Sequence, residues 1–123
     1  MKTVNTPKAP AALGPYSQAI VTGNMIFTSG QLGINPESGV LEENIAGQAK
    51  RCLNNIREVL STAGFEKTNV VKTTIFLKNL ADFDTVNKIY SDFFGDHKPA
   101  RTTVEVAALP KNALIEVDVV GVK

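Results

Sequence analysis

The chain has 123 residues, thirteen basic and twelve acidic side chains and a formal charge of +1. That length fits one domain, 1–123, able to bury its own core, and the balanced charge gives no reason to expect nucleic acid or an anionic membrane as partner. A single cysteine, Cys52, excludes an intrachain disulfide. The opening MKTVNTPKAP lacks the apolar stretch of a signal peptide, and no apolar run approaches the roughly 20 residues of a membrane span. A cytoplasmic setting is expected.

Three prolines in the first 15 residues, Pro7, Pro10 and Pro15, predict an extended, irregular lead-in. Two short apolar runs then flank Thr22-Gly23-Asn24. Gly-Asn tolerates positive φ, so the spacing predicts a hairpin of roughly 17–22 and 25–30. Residues 31–41, with Pro36 and two glycines, read as a loop. Ile45, Ala49, Cys52, Leu53, Ile56, Val59, Leu60 and Ala63 recur at steps of three and four and predict a helix. Glu42 and Glu43 suit its positive end, and Gly64 its stop. Cys52 lies within that stripe and reads as a small buried hydrophobe. VVKTTIFL, from Val70 to Leu77, is β-rich.

A second amphipathic helix follows, with Asp82 as N-cap and Phe83, Val86, Ile89, Tyr90, Phe93 and Phe94 as its apolar face. Those aromatics read as core. Gly95 ends the helix. Two alternating strands, Thr102–Ala108 and Leu114–Val122, close the chain around LPKNA. The order ββ-α-β-α-ββ defines an α+β fold with two helices on one face of a sheet. Arg101, Thr103, Glu105, Glu116 and Asp118 are expected on the other face, mixed with apolar residues. Such a half-polar face suits a subunit interface.

The chain carries no Cys/His cluster of metal-ligand spacing, no GxGxxG, no GxxxxGK[ST] and no GxSxG. Its one histidine, His97, reads as an exposed loop residue. Arg, Glu, Tyr, Ser, Thr and Asn remain, groups able to bind a small carboxylate and move a proton or a water. Arg101 heads a strand after Pro99-Ala100. Its fork can pair with both oxygens of a carboxylate, or serve a surface ion pair. Glu116, between Ile115 and Val117, is either a solvated glutamate or an acid/base group tuned by partial burial. Asn87, on the apolar side of the second helix, could cap a loop or reach a ligand. Tyr16 and Ser29 flank the hairpin, and Gly30 permits close backbone approach or merely ends a strand.

The stretches GPYSQAI, FTSGQLGINPESG, EENIAGQAK, ADFDTVNKIYSDFF and PARTTVEVAALPKNALIEVDVVG resemble the reactive intermediate deaminase (RidA/YjgF) family over about residues 5–122. The resemblance implies a chorismate-mutase-like fold with a mixed sheet. It also implies a homotrimer joined through its sheets, with ligand sites between neighbours. Its expected activity is hydrolysis of 2-imino acids, and of their 2-enamino tautomers, to 2-oxo acids and ammonia, with no cofactor and no metal. Arg101 then matches the carboxylate-binding arginine and Glu116 the glutamate that handles water. Tyr16, Ser29 and Gly30 match cleft residues, and Asn87 a helix asparagine near the site. Many members carry cysteine where this chain has Thr103, which is kept as a site residue without a thiol.

Other readings stay open. One is a non-catalytic trimer that binds 2-oxo acids, which would need only the arginine. Chorismate mutase chemistry rests on fold analogy alone. A nuclease role meets the neutral charge balance.

Overall fold

The computed structural model describes residues 1–123. Its elements are β1 (Lys2–Val4), β2 (Ala19–Thr22), β3 (Met25–Thr28), β4 (Gln31–Leu32), α1 (Ile45–Thr62), β5 (Val70–Leu77), α2 (Phe83–Phe94), β6 (Ala100–Glu105) and β7 (Ile115–Val122). The sheet order is β1-β2-β3-β7-β5-β6, with β4 on β7 beside β3. All neighbours run antiparallel except β5 and β6. That parallel pair needs a crossover, and α2 supplies it. The expected mixed sheet with two helices is therefore present.

Local signals formed what they predicted. Gly23 and Asn24 close the β2–β3 hairpin, and Gly23 alone takes positive φ, +57°. The periodic stripe of α1 is buried, with Cys52, Ile56, Val59 and Leu60 fully enclosed. Each such aliphatic side chain contributes about 1.5–3 kcal/mol. Asn44 caps α1 by accepting from the Gly47 N–H at 2.8 Å. Glu42 instead pairs with Arg51 at 2.9 Å. Gly64 and Gly95 follow the two helices with φ of +79° and +64°. Asp82 precedes α2 but makes no capping bond, and Asn79 caps the short 3₁₀ turn Leu80–Asp82.

Four expectations about the strands need correction. Lys2–Val4 is not irregular: it pairs antiparallel with β2, an edge position that local composition does not reveal. The 31–41 loop contains β4 and a bridge between Ile34 and Leu41. The sixth strand begins at Ala100 and ends at Glu105, where β5 also ends and the Leu77 carbonyl accepts from Val106 N. The fourth concerns faces. Arg101 pairs with Thr73 and Thr103 with Ile75, and both partners are buried under the helices. Arg101, Thr103 and Glu105 therefore lie on the helix side, at an edge that α2 only partly covers. The open face carries Glu116 and Asp118 with Thr74, Phe76, Thr102 and Val104. Alternation says which residues share a face, not which face is covered.

A core of 20 buried residues lies between sheet and helices. No helix is long and apolar enough to cross a membrane. His97 is half-buried rather than free in its loop, with Nε2 at 2.6 Å from the Val70 carbonyl.

Candidate active site

The predicted residues gather into two groups on opposite sides of the sheet. On the helix side, Arg101 of β6 meets Asn87 and Tyr90 of α2 along a recess of about 300 Å³. The Arg101 guanidinium carbon lies 4.8 Å from the Tyr90 ring centre and 5.5 Å from that of Phe83. Arg101 has no carboxylate within ion-pairing distance in its own chain. Two residues on, the Thr103 hydroxyl oxygen is buried and unpartnered. This half can accept an anion: a guanidinium fork without an acid, beside a hydroxyl without a hydrogen bond.

Glu116 occupies the other half, with Tyr16 and Gly30, in a recess of about 40 Å³ walled by Leu13, Leu32 and Pro110. Burial first, and then the charge of Asp118, raises the Glu116 carboxyl above the ordinary glutamate range. A carboxyl raised in this way holds a proton more readily than a solvated glutamate, which suits it to acid/base work. Gly30 is required by space: a Cβ there would stand 2.7 Å from Glu116 Cδ. Tyr16 is half exposed, and its phenol oxygen accepts from Leu13 N at 3.0 Å, fixing the loop that forms the rim.

Buried amides hold this second half in place. Gln18 donates to the Thr6 and Pro10 carbonyls and accepts from Thr6 N, drawing the N-terminal loop over the recess. From α1, Asn55 donates to the Leu32 and Ile34 carbonyls, and Gln48 accepts from Leu114 N. Both therefore clamp the segments that carry Gly30 and Glu116. Sequence reading passed over these three. The available signal was two amides, at 48 and 55, inside an apolar helical stripe.

Ser29 does not join the recess, because its hydroxyl donates to the Ser17 carbonyl at 2.6 Å and steadies the end of the hairpin. Cys52 is fully buried and points its sulfur at the Gln31 carbonyl; burial pushes its thiol strongly up. Tyr90, read as core from sequence, is core and also faces Arg101; Phe83, read the same way, is exposed and lies outside the core, with its ring against Arg101.

A family model described as Endoribonuclease L-PSP matches residues 6–123. The 2-iminobutanoate/2-iminopropanoate deaminase of Escherichia coli (strain K12) is 46% identical over 125 residues, covering 99% of this chain and 98% of the relative. Reactive Intermediate Deaminase A, chloroplastic, of Arabidopsis thaliana is 51% identical over 98% of this chain and 65% of its own length. The crystal structure of E. coli TdcF with bound serine superposes with a TM-score of 0.97 at 36% identity, over 100% of this chain and 99% of that one. The chain belongs to the family that these proteins share, the RidA/YjgF family its motifs resemble.

Proposed function

We propose that this chain is a hydrolytic deaminase that converts 2-imino acids, and their 2-enamino tautomers, to 2-oxo acids and ammonia. The observation that carries the reading is the presence in one chain of two incomplete half-sites: an arginine without an acid, and a glutamate whose carboxyl is raised. The names of relatives matched over nearly the whole of this chain support it, and TdcF, crystallised with serine, holds a ligand of matching carboxylate and C2 nitrogen. The family description speaks of an endoribonuclease. A net charge of +1 offers no excess of cations for a phosphate backbone.

In this reading residues 1–123 act as one domain in the cytoplasm, and three copies associate through the open sheet faces. The number three comes from the family resemblance. Each cleft joins Arg101, Asn87 and Thr103 of one copy to Glu116, Tyr16 and Gly30 of the next. Ser29 contributes through the backbone it steadies.

The chemistry needs no covalent nucleophile, because a C=N bond is already electrophilic. Arg101 holds the carboxylate by two parallel hydrogen bonds and fixes C2 in the cleft. Glu116 takes a proton from water as its oxygen adds to C2 and returns that proton to the nitrogen, giving the carbinolamine. Glu116 then takes the carbinolamine hydroxyl proton and passes it to the amine as the C–N bond breaks, so that the C=O bond forms and ammonia leaves. Proton transfer of this kind contributes about 10²–10⁴-fold.

The test generates 2-iminobutanoate with a threonine dehydratase and traps what remains with semicarbazide. Faster loss of trappable imine with this protein, absent in Arg101→Ala, supports deamination. No acceleration across several imines favours the carboxylate-binding trimer instead. Mixing tests the shared cleft. Arg101→Ala and Glu116→Gln subunits, each inactive, should recover about a quarter of the native sites when reassembled at equal amounts, since each site draws on two copies. No recovery after proven subunit exchange would rule the shared cleft out.

A further inference from the structure

An arginine that binds a substrate carboxylate needs to be held, yet an acidic neighbour that held it would also compete for its donors. Arg101 meets this requirement without an acid. Glu105, on the same face of β6, turns its Oε1 to accept from Leu80 N at 2.8 Å. What contacts the guanidinium instead is aromatic: Tyr90 at 4.8 Å and Phe83 at 5.5 Å. A ring attracts a guanidinium through its face, and that contact consumes none of the five N–H donors along the edge.

The Tyr90 ring is fixed by its neighbours. Tyr90 is 9% exposed, packs on Phe94 at 4.7 Å, and its hydroxyl lies 2.8 Å from the Thr73 hydroxyl. Thr73 is also the β5 partner of Arg101, so ring and guanidinium are referred to the same strand position. Phe83 is the first residue of α2, where the helix frame sets its direction. It is 36% exposed and lies outside the buried core, so packing gives little account of an aromatic there. Its ring is against Arg101.

We propose that Phe83 and Tyr90 are positioning residues. They grip the Arg101 guanidinium by its faces and leave its edge free for the ligand carboxylate. The proposal deepens the deaminase reading and rests on it for the role of Arg101.

Phe83 is the residue to vary, because its exposure lets the fold survive. Phe83→Leu removes the ring face, and Phe83→Tyr keeps it. Binding of 2-oxobutanoate, measured by calorimetry, should weaken about 3- to 10-fold in Phe83→Leu. KM for 2-iminobutanoate should rise similarly with kcat within about 2-fold, as expected for lost uniform binding. Phe83→Tyr should behave as wild type in both. The Arg101 side-chain N–H signal, assigned by its loss in Arg101→Ala, should carry a ring-current shift that Phe83→Leu reduces and Phe83→Tyr retains.

Unchanged affinity and an unchanged N–H signal in Phe83→Leu would overturn the proposal. A wild-type protein that binds 2-oxobutanoate but hydrolyses no imine would overturn the deaminase reading alone. The affinity and N–H comparisons would still decide whether the rings position Arg101.

Discussion

Gly30 and Gly33 lie on one short segment, and alanine at each should fail in a different way. At Gly30 an added Cβ would stand 2.7 Å from Glu116 Cδ, 2.8 Å from its Oε2 and 2.9 Å from its Cγ. Carbon atoms rest at about 3.5–4.0 Å, so the carboxyl must retreat by about 1 Å. The obstacle is the end of a flexible, half-buried side chain, so the fold yields at a cost of about 1 kcal/mol. That corresponds to roughly 4 °C in Tm for a domain of this size. The same 1 Å removes the proposed proton carrier from its place, and displacements of that size cost about 10²-fold in rate. At Gly33 the added Cβ would stand 2.5 Å from Gln48 Cα and 2.7 Å from the Gln48 carbonyl oxygen. Those are backbone atoms of α1, so the helix itself must move, at about 3 kcal/mol. Melting curves and imine-decay kcat, measured on both variants, separate the cases. Gly30→Ala should melt close to wild type and turn over about 100-fold more slowly, on the same displacement argument. A Gly30→Ala protein with wild-type kcat would refute the placement of Glu116 against the Gly30 backbone as a requirement of the reaction.

The Asp118 charge helps raise Glu116, so Asp118→Asn should move the acid limb of kcat/KM to lower pH; an unmoved limb would sever the link between the two carboxyls. Glu116 and Asp118 are both raised, chiefly by burial, from ordinary values of 4.5 and 3.8. Their protonated forms therefore favour the fold, and that stabilisation is complete below the ordinary values and lost as pH rises through the raised ones. Asp118→Asn should accordingly gain more in Tm at pH 7 than at pH 4, and an equal gain at both would contradict the burial argument. Val104→Asp places a charge on the open sheet face, where the valine is 39% exposed. It should leave the far-UV spectrum intact, lower the sedimentation coefficient and abolish imine hydrolysis. A fully active variant with the native sedimentation coefficient would argue against association through this face.

Local pattern made the helices, the hairpin and β5 legible, because each is specified by spacing within about ten residues. Lys2–Val4 was not legible, since its strand character exists only through the register Lys2↔Val21 to Val4↔Ala19. The site was legible as a set of residue types and not as an arrangement. Arg101 and Glu116 were both recognisable, but their separation by the sheet depends on pairing. The donation of the Ser29 hydroxyl to Ser17 was not legible either, because it joins residues twelve apart. Gln18, Gln48 and Asn55 escaped notice because a buried amide has no period of its own; its role lies in carbonyls that other segments bring to it.

An irregularity in β5 and the spacing beyond it together set the geometry. Val70 pairs with Gly121 and Lys72 with Val120, so Val71 is an extra residue, a bulge, and it is 47% exposed. Beyond it the alternation is reset. Val70, Thr73, Ile75 and Leu77 all face the helices, whereas an unbroken strand would send Thr73 to the side away from Val70. Thr73 carries Arg101 with it through the β5–β6 register, and Phe76, three residues on, carries Glu116 to the other face. Arginine and glutamate therefore cannot reach each other within one chain and cannot neutralise each other there. Each remains available to a ligand, and the proposed reaction becomes possible only where a second copy sets the missing half against the first. The bulge at Val71 thus turns Thr73, and with it Arg101, to the side of Val70 and the helices, while the odd spacing of Thr73 and Phe76 sets Glu116 on the other side.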